Sequence, residues 1–533
     1  MTDPTGDHYI DGYTNRLSVA PGEQLGFHIS TSLKKYSLEV ARVGANRHVV
    51  WRKEGLPGAE HLIPADASSH GCRWPLASKL SVPADWRSGY YSVVMRGGAE
   101  KGQTVSGEMS FVVRSAFPGR DSRILLQRTT NTDNAYNNFG GTTLYNGPRG
   151  PGWRVSFDRP FAGFEPDGKF LCTIKGEFHA SLNAQIVPPS LQTELSEHGI
   201  ALTPFHCVVV ADKGRYWHVF DDSLTLALKQ RDRSVNVYDA FTVNASCWHR
   251  WEEPFVRWAE QAGYQLDYAV NSDLEFRPEI LENYRLVLSV GHDEYWSSPM
   301  RDNLEAFIAS GGNVAFFSGN NLWWQVRSVD NGRALICWKD HERDPFYDGG
   351  NHKLLSTLWC HHLIGRPENQ LTGVSFAYGG YHRFFDKYQD GPDGYTVYRP
   401  DHWIFAGTGL QRGDLFGVKD KIVGYECDGC ELEWRNGLPF PTHREGTLKS
   451  LEVLATAPAA LSDADGSLDL ASRAIYGEGT DKLLPQPGSA VIGTYTRGGT
   501  VVTVGSTDWP SGLRGGDKSV ARITANVLER LLV

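Results

Sequence analysis

"LVLSVGHDEYWSSPMRDNLEAFIASGGNVAFFSGN", residues 286–320, decides the fold class. Leu286 to Val290 is a continuous run of apolar or small residues, the pattern of a strand buried on both faces of a parallel sheet. Ser298 and Pro299 then open a helix whose Leu304, Phe307 and Ile308 mark one face, and Gly311-Gly312 stops it. Asn313-Val-Ala-Phe-Phe317 is the next strand. Strand, helix and strand in that order form a βαβ unit, which requires parallel pairing. Between the first strand and the helix stand His292, Asp293, Glu294 and Tyr295, four polar or aromatic side chains at the carboxyl end of a buried strand.

The same rhythm extends outward. "PFVRWAEQAG" from Pro254 reads as a helix, "YQLDYAV" as a strand and "PEILENY" as a short helix. Near the end, "TVVTVG" reads as a strand and "KSVARITANVLERLL" as an amphipathic helix carrying Val520, Ile523, Val527 and Leu531. The first 115 or so residues differ. "LSVAPGEQLGFHIS", "KYSLEVARV", "GYYSVVMRG" and "GEMSFVVR" alternate apolar and polar residues between turn signals, which suggests an antiparallel sandwich of immunoglobulin-like size. The expectation is an α+β multidomain chain. An immunoglobulin-like β-sandwich over residues 1–118 precedes an α/β domain over 119–533, interrupted by a β-rich insertion at about 165–250.

Composition narrows the partners. The chain has 533 residues, 40% of them hydrophobic and 22% charged, an ordinary globular balance. A net charge of −9 argues against nucleic acid or an anionic membrane surface, which both favour a basic face. No run of about 18 apolar residues occurs that would span a bilayer. The start lacks the charged and apolar regions of an export signal, and the eight cysteines are scattered. Reduced thiols and a cytoplasmic location are therefore expected. Cys427-Asp-Gly-Cys430 is one close pair, without the second pair that a zinc site needs.

In open α/β sheets ligands bind beyond the carboxyl ends of the strands, where 292–295 lies. His292 and Glu294, two apart on an extended segment, face one cavity, while Asp293 and Tyr295 face elsewhere. Glutamate and histidine are metal-ligand types and also do acid–base work; alternatively both bond neighbouring loops and cap the coming helix. Asn320-Asn321 suits substrate orientation or an ordinary turn, and Asp508 either lines the cleft or caps a loop. His361 and His362 are adjacent, and neighbouring side chains diverge on any regular element, so a joint metal site is not expected.

"LVLSVGHDEYWSSPMRDNLEAFIASGGNVAFFSGNNLWWQVR", with "TNTDNAYNNFGGTTLYN", "VSFDRPF" and "VGYECD", resembles the large catalytic subunit of N,N-dimethylformamidase and its wider family. That resemblance implies a class I glutamine-amidotransferase-like α/β domain without its cysteine nucleophile. It also implies hydrolysis of a small amide at a mononuclear ferric (Fe3+) centre held by two tyrosines and a glutamate. Matched residue by residue, Tyr136 is the first ligand tyrosine, Glu294 the ligand glutamate and His292 a nearby active-site histidine. Glu426 corresponds to a further acid–base glutamate.

A phenol serves as an anionic ligand only to a strong Lewis acid, which favours ferric iron over Mg2+ or Ca2+. One departure stands out: Val155 occupies the place of the second ligand tyrosine, and valine binds no metal. Asp158 is the candidate third ligand and Tyr145 a second candidate there or a substrate contact, with Asn320 also placed at the substrate. The reading is a metal-dependent amidohydrolase of small linear amides, expected to self-associate. A non-catalytic carbohydrate- or ligand-binding protein on the same scaffold is the alternative. A cysteine hydrolase would need its nucleophile in a tight Gly-x-Cys-x-Gly turn, and no cysteine here has that setting.

Overall fold

The computed structural model describes residues 8–98, 104–137, 139–145, 151–161, 172–174, 177–181, 207–211, 215–218, 248–382, 391–424, 426–462 and 466–533. The chain divides into two compact units. The first comprises Met1–Ala116 and Asp133–His249, the second Phe117–Thr132 and Arg250–Val533.

In the first unit, strands Ser18–Val19, Thr104–Val113, Gly89–Gly98, Lys35–Val43 and Arg47–Pro57 form one sheet in that spatial order. Ile10–Thr14, Gln24–Thr31 and Leu76–Ser81 form another. Alternation of inward and outward side chains gives each sheet one apolar face. Phe27, Ile29, Val40, Val93, Phe111 and Val113 from the two sheets share one buried core. Of the β-rich insertion expected at about 165–250, strands Cys172–Ile174, Glu177–Ser181, Cys207–Ala211 and Arg215–His218 are described, paired antiparallel in sequence order. The rest of that span up to residue 247 lies outside the described residues.

The second unit is built on a nine-stranded mixed sheet. Five strands run parallel in the order Asp267–Val270, Ile124–Arg128, Leu286–His292, Asn313–Gly319 and Gly499–Thr503. Gly488–Arg497, Glu452–Ala459, Tyr395–Val397 and Leu415–Phe416 extend it antiparallel. Every residue of Leu286–His292 is buried, as a strand covered on both faces must be. The crossover helix is Ser298–Ala309, one residue after its cap: the Ser297 hydroxyl accepts from the Met300 amide at 3.4 Å, and Pro299 occupies the first turn, where its missing N–H costs nothing. Met300, Leu304, Phe307 and Ile308 face inward. The closing helix, Lys518–Leu531, is capped by Asp517, whose carboxylate accepts from Ser519 and Val520 at 2.9 Å. Strand Glu426–Gly429 pairs antiparallel with Ser375–Tyr381, and Cys427 bridges to Ser506, so Glu426 comes to the same end of the sheet as His292.

The irregular chain between residues 337 and 357 is held by one carboxylate. Asp344 accepts two bonds from the Arg327 guanidinium at 2.7 and 2.9 Å, one from the Phe346 amide at 3.1 Å, and two from Ser356 at 2.9 and 2.8 Å. Ser356 in turn fixes Lys339: its carbonyl accepts from the Lys339 amide at 3.0 Å and its hydroxyl from the Trp338 amide at 3.0 Å. Burial raises the Asp344 carboxyl, but the bonds from Arg327, Ser356 and Phe346 outweigh it and hold the group below the usual carboxylate range. Its contribution is therefore complete above the unfolded carboxylate value and disappears as pH falls through the lower folded one. Asp344→Ala should cost about 2 to 4 kcal/mol at neutral pH, less than for a wholly buried pair because Arg327 keeps some access to water. Urea denaturation of wild type and variant should show that gap at pH 7 and a much smaller one near pH 3. An equal gap at both would refute the assignment.

Candidate active site

Leu286–His292 ends where the backbone must turn sharply under a large ring. Gly291 has a φ of +84°, and a Cβ there would meet the Trp251 Cβ at 2.4 Å. Glycine is thus required twice, for the left-handed backbone and for the close approach. Trp251 stands edge-on to the His292 ring at 5.8 Å and is itself fixed by its indole N–H, which donates to Asp508 at 2.7 Å. Asp508 orients the tryptophan beside the histidine.

Four predicted residues meet at this strand end. His292 Nε2 lies 2.8 Å from Glu426 Oε2, 3.4 Å from Glu294 Oε2 and 3.4 Å from the Asn320 amide nitrogen. All four residues are at most 3% exposed, so any substrate reaching them leaves bulk water behind. Glu294 and Asn320 are held from behind. The Glu294 amide donates to the Thr132 hydroxyl at 2.9 Å, and its carbonyl accepts from the Trp324 amide at 2.9 Å. Asp428 accepts from the amides of Asn320 and Asn321 at 2.9 and 3.1 Å and from the Asn321 side chain at 2.7 Å, fixing the turn that carries Asn320. Asn320, at φ +49°, and Leu322, at φ +54°, both sit in left-handed backbone. Such strain persists only where the surroundings enforce it, and it concentrates at functional sites.

Asp293 points the other way, as alternation along a strand dictates, accepting from Gln127 and Ser289 at 2.8 Å each. Burial raises its carboxyl to about 6 against the opposing pull of these bonds, and burial raises Asp428 to about 7.

Sequence reasoning missed Lys339. Its Nζ is buried, and the residue, at φ +58°, sets that atom 4.3 Å from the Trp324 ring centre and 5.6 Å from that of Tyr295. Burial lowers its ammonium to about 7, and the charges of Glu294 and Glu426 partly restore it. No periodicity announces such a residue. It arrives from an irregular segment, and lysine is ordinarily a surface side chain.

The other predicted residues belong to the first unit. Tyr136, 3% exposed, stacks on Tyr145 with ring centres 4.7 Å apart. Val155 is fully buried and its carbonyl accepts from Asn134 at 3.4 Å, a packing position. The Asp158 amide donates to the Ser156 hydroxyl within its own turn and its carbonyl accepts from the distant Cys72 amide, while the buried Arg159 guanidinium donates to carbonyls of Phe139, Asn134 and Ser156.

Two other sequence features resolve. Burial pushes the thiols of Cys72 and Cys337 up to about 12 and those of Cys360 and Cys430 well above their ordinary value, which leaves them poor nucleophiles. Among the described residues, three that could share a metal ion are His341, His361 and Glu478, a group containing none of the predicted ligands. His361 groups there with His341, remote from it in sequence, while its ring stacks on that of adjacent His362 at 4.6 Å. The donor chemistry at His292 also fits a cation: Glu294 and Glu426 are two buried carboxylates beside an imidazole, opposed by one ammonium held near neutrality.

Known proteins resemble this chain to different depths. The beta subunits of N,N-dimethylformamidase from Alcaligenes sp and Paracoccus aminophilus are each 31% identical over 81 residues, which is 14% of this chain and 11% of either relative. The chain thus matches a small part of those relatives' length. The crystal structure of Spo0M, a sporulation control protein from Bacillus subtilis, superposes with a TM-score of 0.17 at 12% identity, covering 22% of this chain and 52% of that one, too slight a likeness to bear on the fold. The family described as "N,N-dimethylformamidase beta subunit-like, C-terminal" matches residues 37–522, and the chain is a member of that family.

Proposed function

We propose that this protein hydrolyses the C–N bond of small amides, with His292, Glu294, Glu426, Asn320 and Lys339 at the reacting centre. The observation that carries the reading is His292 Nε2, which faces a carboxylate at 2.8 Å and an amide nitrogen at 3.4 Å. When that nitrogen bears a proton, Glu426 is there to accept it; when it does not, the Asn320 amide is there to donate. An imidazole with a partner in both protonation states is suited to taking a proton from water and returning it to a departing amine. Family membership supports amide hydrolysis as the reaction.

Glu294, the ligand glutamate by resemblance, would contribute to holding a mononuclear iron. Bound there, the ion would supply Lewis acidity towards the amide carbonyl and lower the pKa of attacking water. The chain's own contributions are separate. Glu426 and His292 move protons. The Asn320 N–H orients the substrate oxygen. Lys339, poised near neutrality, offsets negative charge as it develops on that oxygen. Because His292, Glu294, Asn320 and Glu426 are buried, the substrate is expected to be small and uncharged.

Two variants test this with simple amides, reading released amine and bound metal together. Glu294→Gln should lose both bound iron and at least about 1,000-fold of turnover if the carboxylate serves the ion and the reaction. His292→Ala should keep its metal and lose about 100- to 10,000-fold in kcat, the usual worth of a general acid–base group. Unchanged turnover in either variant would end the proposal.

A further inference from the structure

A second constellation lies in the α/β unit, built by three segments remote in sequence. His341 opens the single turn His341–Arg343, His361 sits in the turn after Trp359, and Glu478 follows helix Ser467–Tyr476. One ring nitrogen of each histidine and one Glu478 carboxylate oxygen all lie within 4.8 Å of one another. The rings of His341 and His361 are 4.4 Å apart and tilted by 50°. The helix end is docked onto this turn: the Ala474 carbonyl accepts from the His362 amide at 2.7 Å and lies 3.1 Å from its Nδ1. Gly477, at φ +99°, then turns the chain so that Glu478 returns to the histidines.

The histidines are 8% and 2% exposed, and Glu478 is open to solvent. His361 supplies an independent sign of a missing ligand. Its Nδ1 accepts from the Leu363 amide at 3.2 Å, whereas Nε2 is buried with no hydrogen-bond partner among the described residues. A buried polar atom left in that state is costly and rare.

We propose that His341, His361 and Glu478 bind one divalent transition-metal ion of borderline softness, zinc foremost, with a fourth position open to water on the Glu478 side. Two imidazoles and a carboxylate are a zinc donor set, whereas Ca2+ and Mg2+ take oxygen ligands. Bond lengths of about 2.0 to 2.2 Å bring tetrahedral donors to roughly 3.3 Å from one another. The solvent-exposed Glu478 side chain is free to close that gap. Its ion pair with Arg473 is long, 3.6 Å, and Arg473 keeps Asp469 at 2.6 Å, so recruiting Glu478 strands no charge. Binding at Nε2 moves the ring proton of His361 to Nδ1 and gives up the Leu363 bond, a small loss beside a metal–imidazole bond. The ion would cross-link the three segments and anchor the chain two residues beyond Lys339. This site stands independently of the amide reading.

The test uses full-length protein carrying Glu294→Gln, which disables the other candidate metal position, stripped with chelator and titrated with Co2+ and then Zn2+. One equivalent of Co2+ with the visible bands of a four-coordinate ion is expected, displaced by Zn2+, together with a metal-dependent rise in Tm. Adding Glu478→Gln should weaken binding at least about 10-fold, and His361→Gln at least about 100-fold. Should His361→Gln fail to fold, the surface substitution Glu478→Gln carries the test alone. Absence of Co2+ binding in the Glu294→Gln protein, or binding that Glu478→Gln leaves unchanged, would overturn the proposal.

Discussion

A strand buried along its whole length must surrender its polar groups where it ends, and the rest of the candidate site follows from how Leu286–His292 does so. Its last residue, His292, turns to one side, and Asp293, just beyond the strand, turns to the other. Asp293 is absorbed by Gln127 and Ser289, a structural solution for a buried carboxyl. His292 is met by groups capable of exchanging protons with it. One strand end thus sets a structurally absorbed carboxyl and a carboxylate-flanked imidazole at neighbouring positions.

Around that point the molecule is rigid by construction. Asp428 clamps the Asn320 turn, Asp344 and Ser356 clamp the segment bearing Lys339, and Asp508 holds Trp251 against the histidine. Three carboxylates therefore act through the loops they order. Left-handed backbone at Asn320, Leu322 and Lys339 is tolerable only with such support. A reaction whose groups must stay within hydrogen-bond reach gains from this arrangement, because little reorganisation remains to be done when the substrate arrives.

What was legible in the sequence was what is local. The apolar run at 286–290, the Ser-Pro helix start and the amphipathic 518–531 stripe carry their own periodicity, and strand and helices appear where those patterns place them. His292 and Glu294 were visible because they follow such a strand directly. The antiparallel half of the large sheet was not read: Glu452–Ala459 contains a proline, and its partners pair across long separations that no window of sequence reports. Lys339 and Asp428 were invisible for the same reason. Their importance comes from burial and from partners over a hundred residues away for Asp428, and burial of a lysine contradicts the prior for that residue type.

The contact between Gly291 and Trp251 carries a consequence for how such a chain can diversify. With 2.4 Å between the tryptophan Cβ and the place a new Cβ would take, neither position can gain bulk alone. A descendant that altered the residue before His292 would have to remodel the helix start at Trp251 in the same step, losing the ring beside His292 and its tether to Asp508 together. Change around His292 should therefore enter through its other neighbours, leaving this pair as a fixed hinge-pin of inheritance.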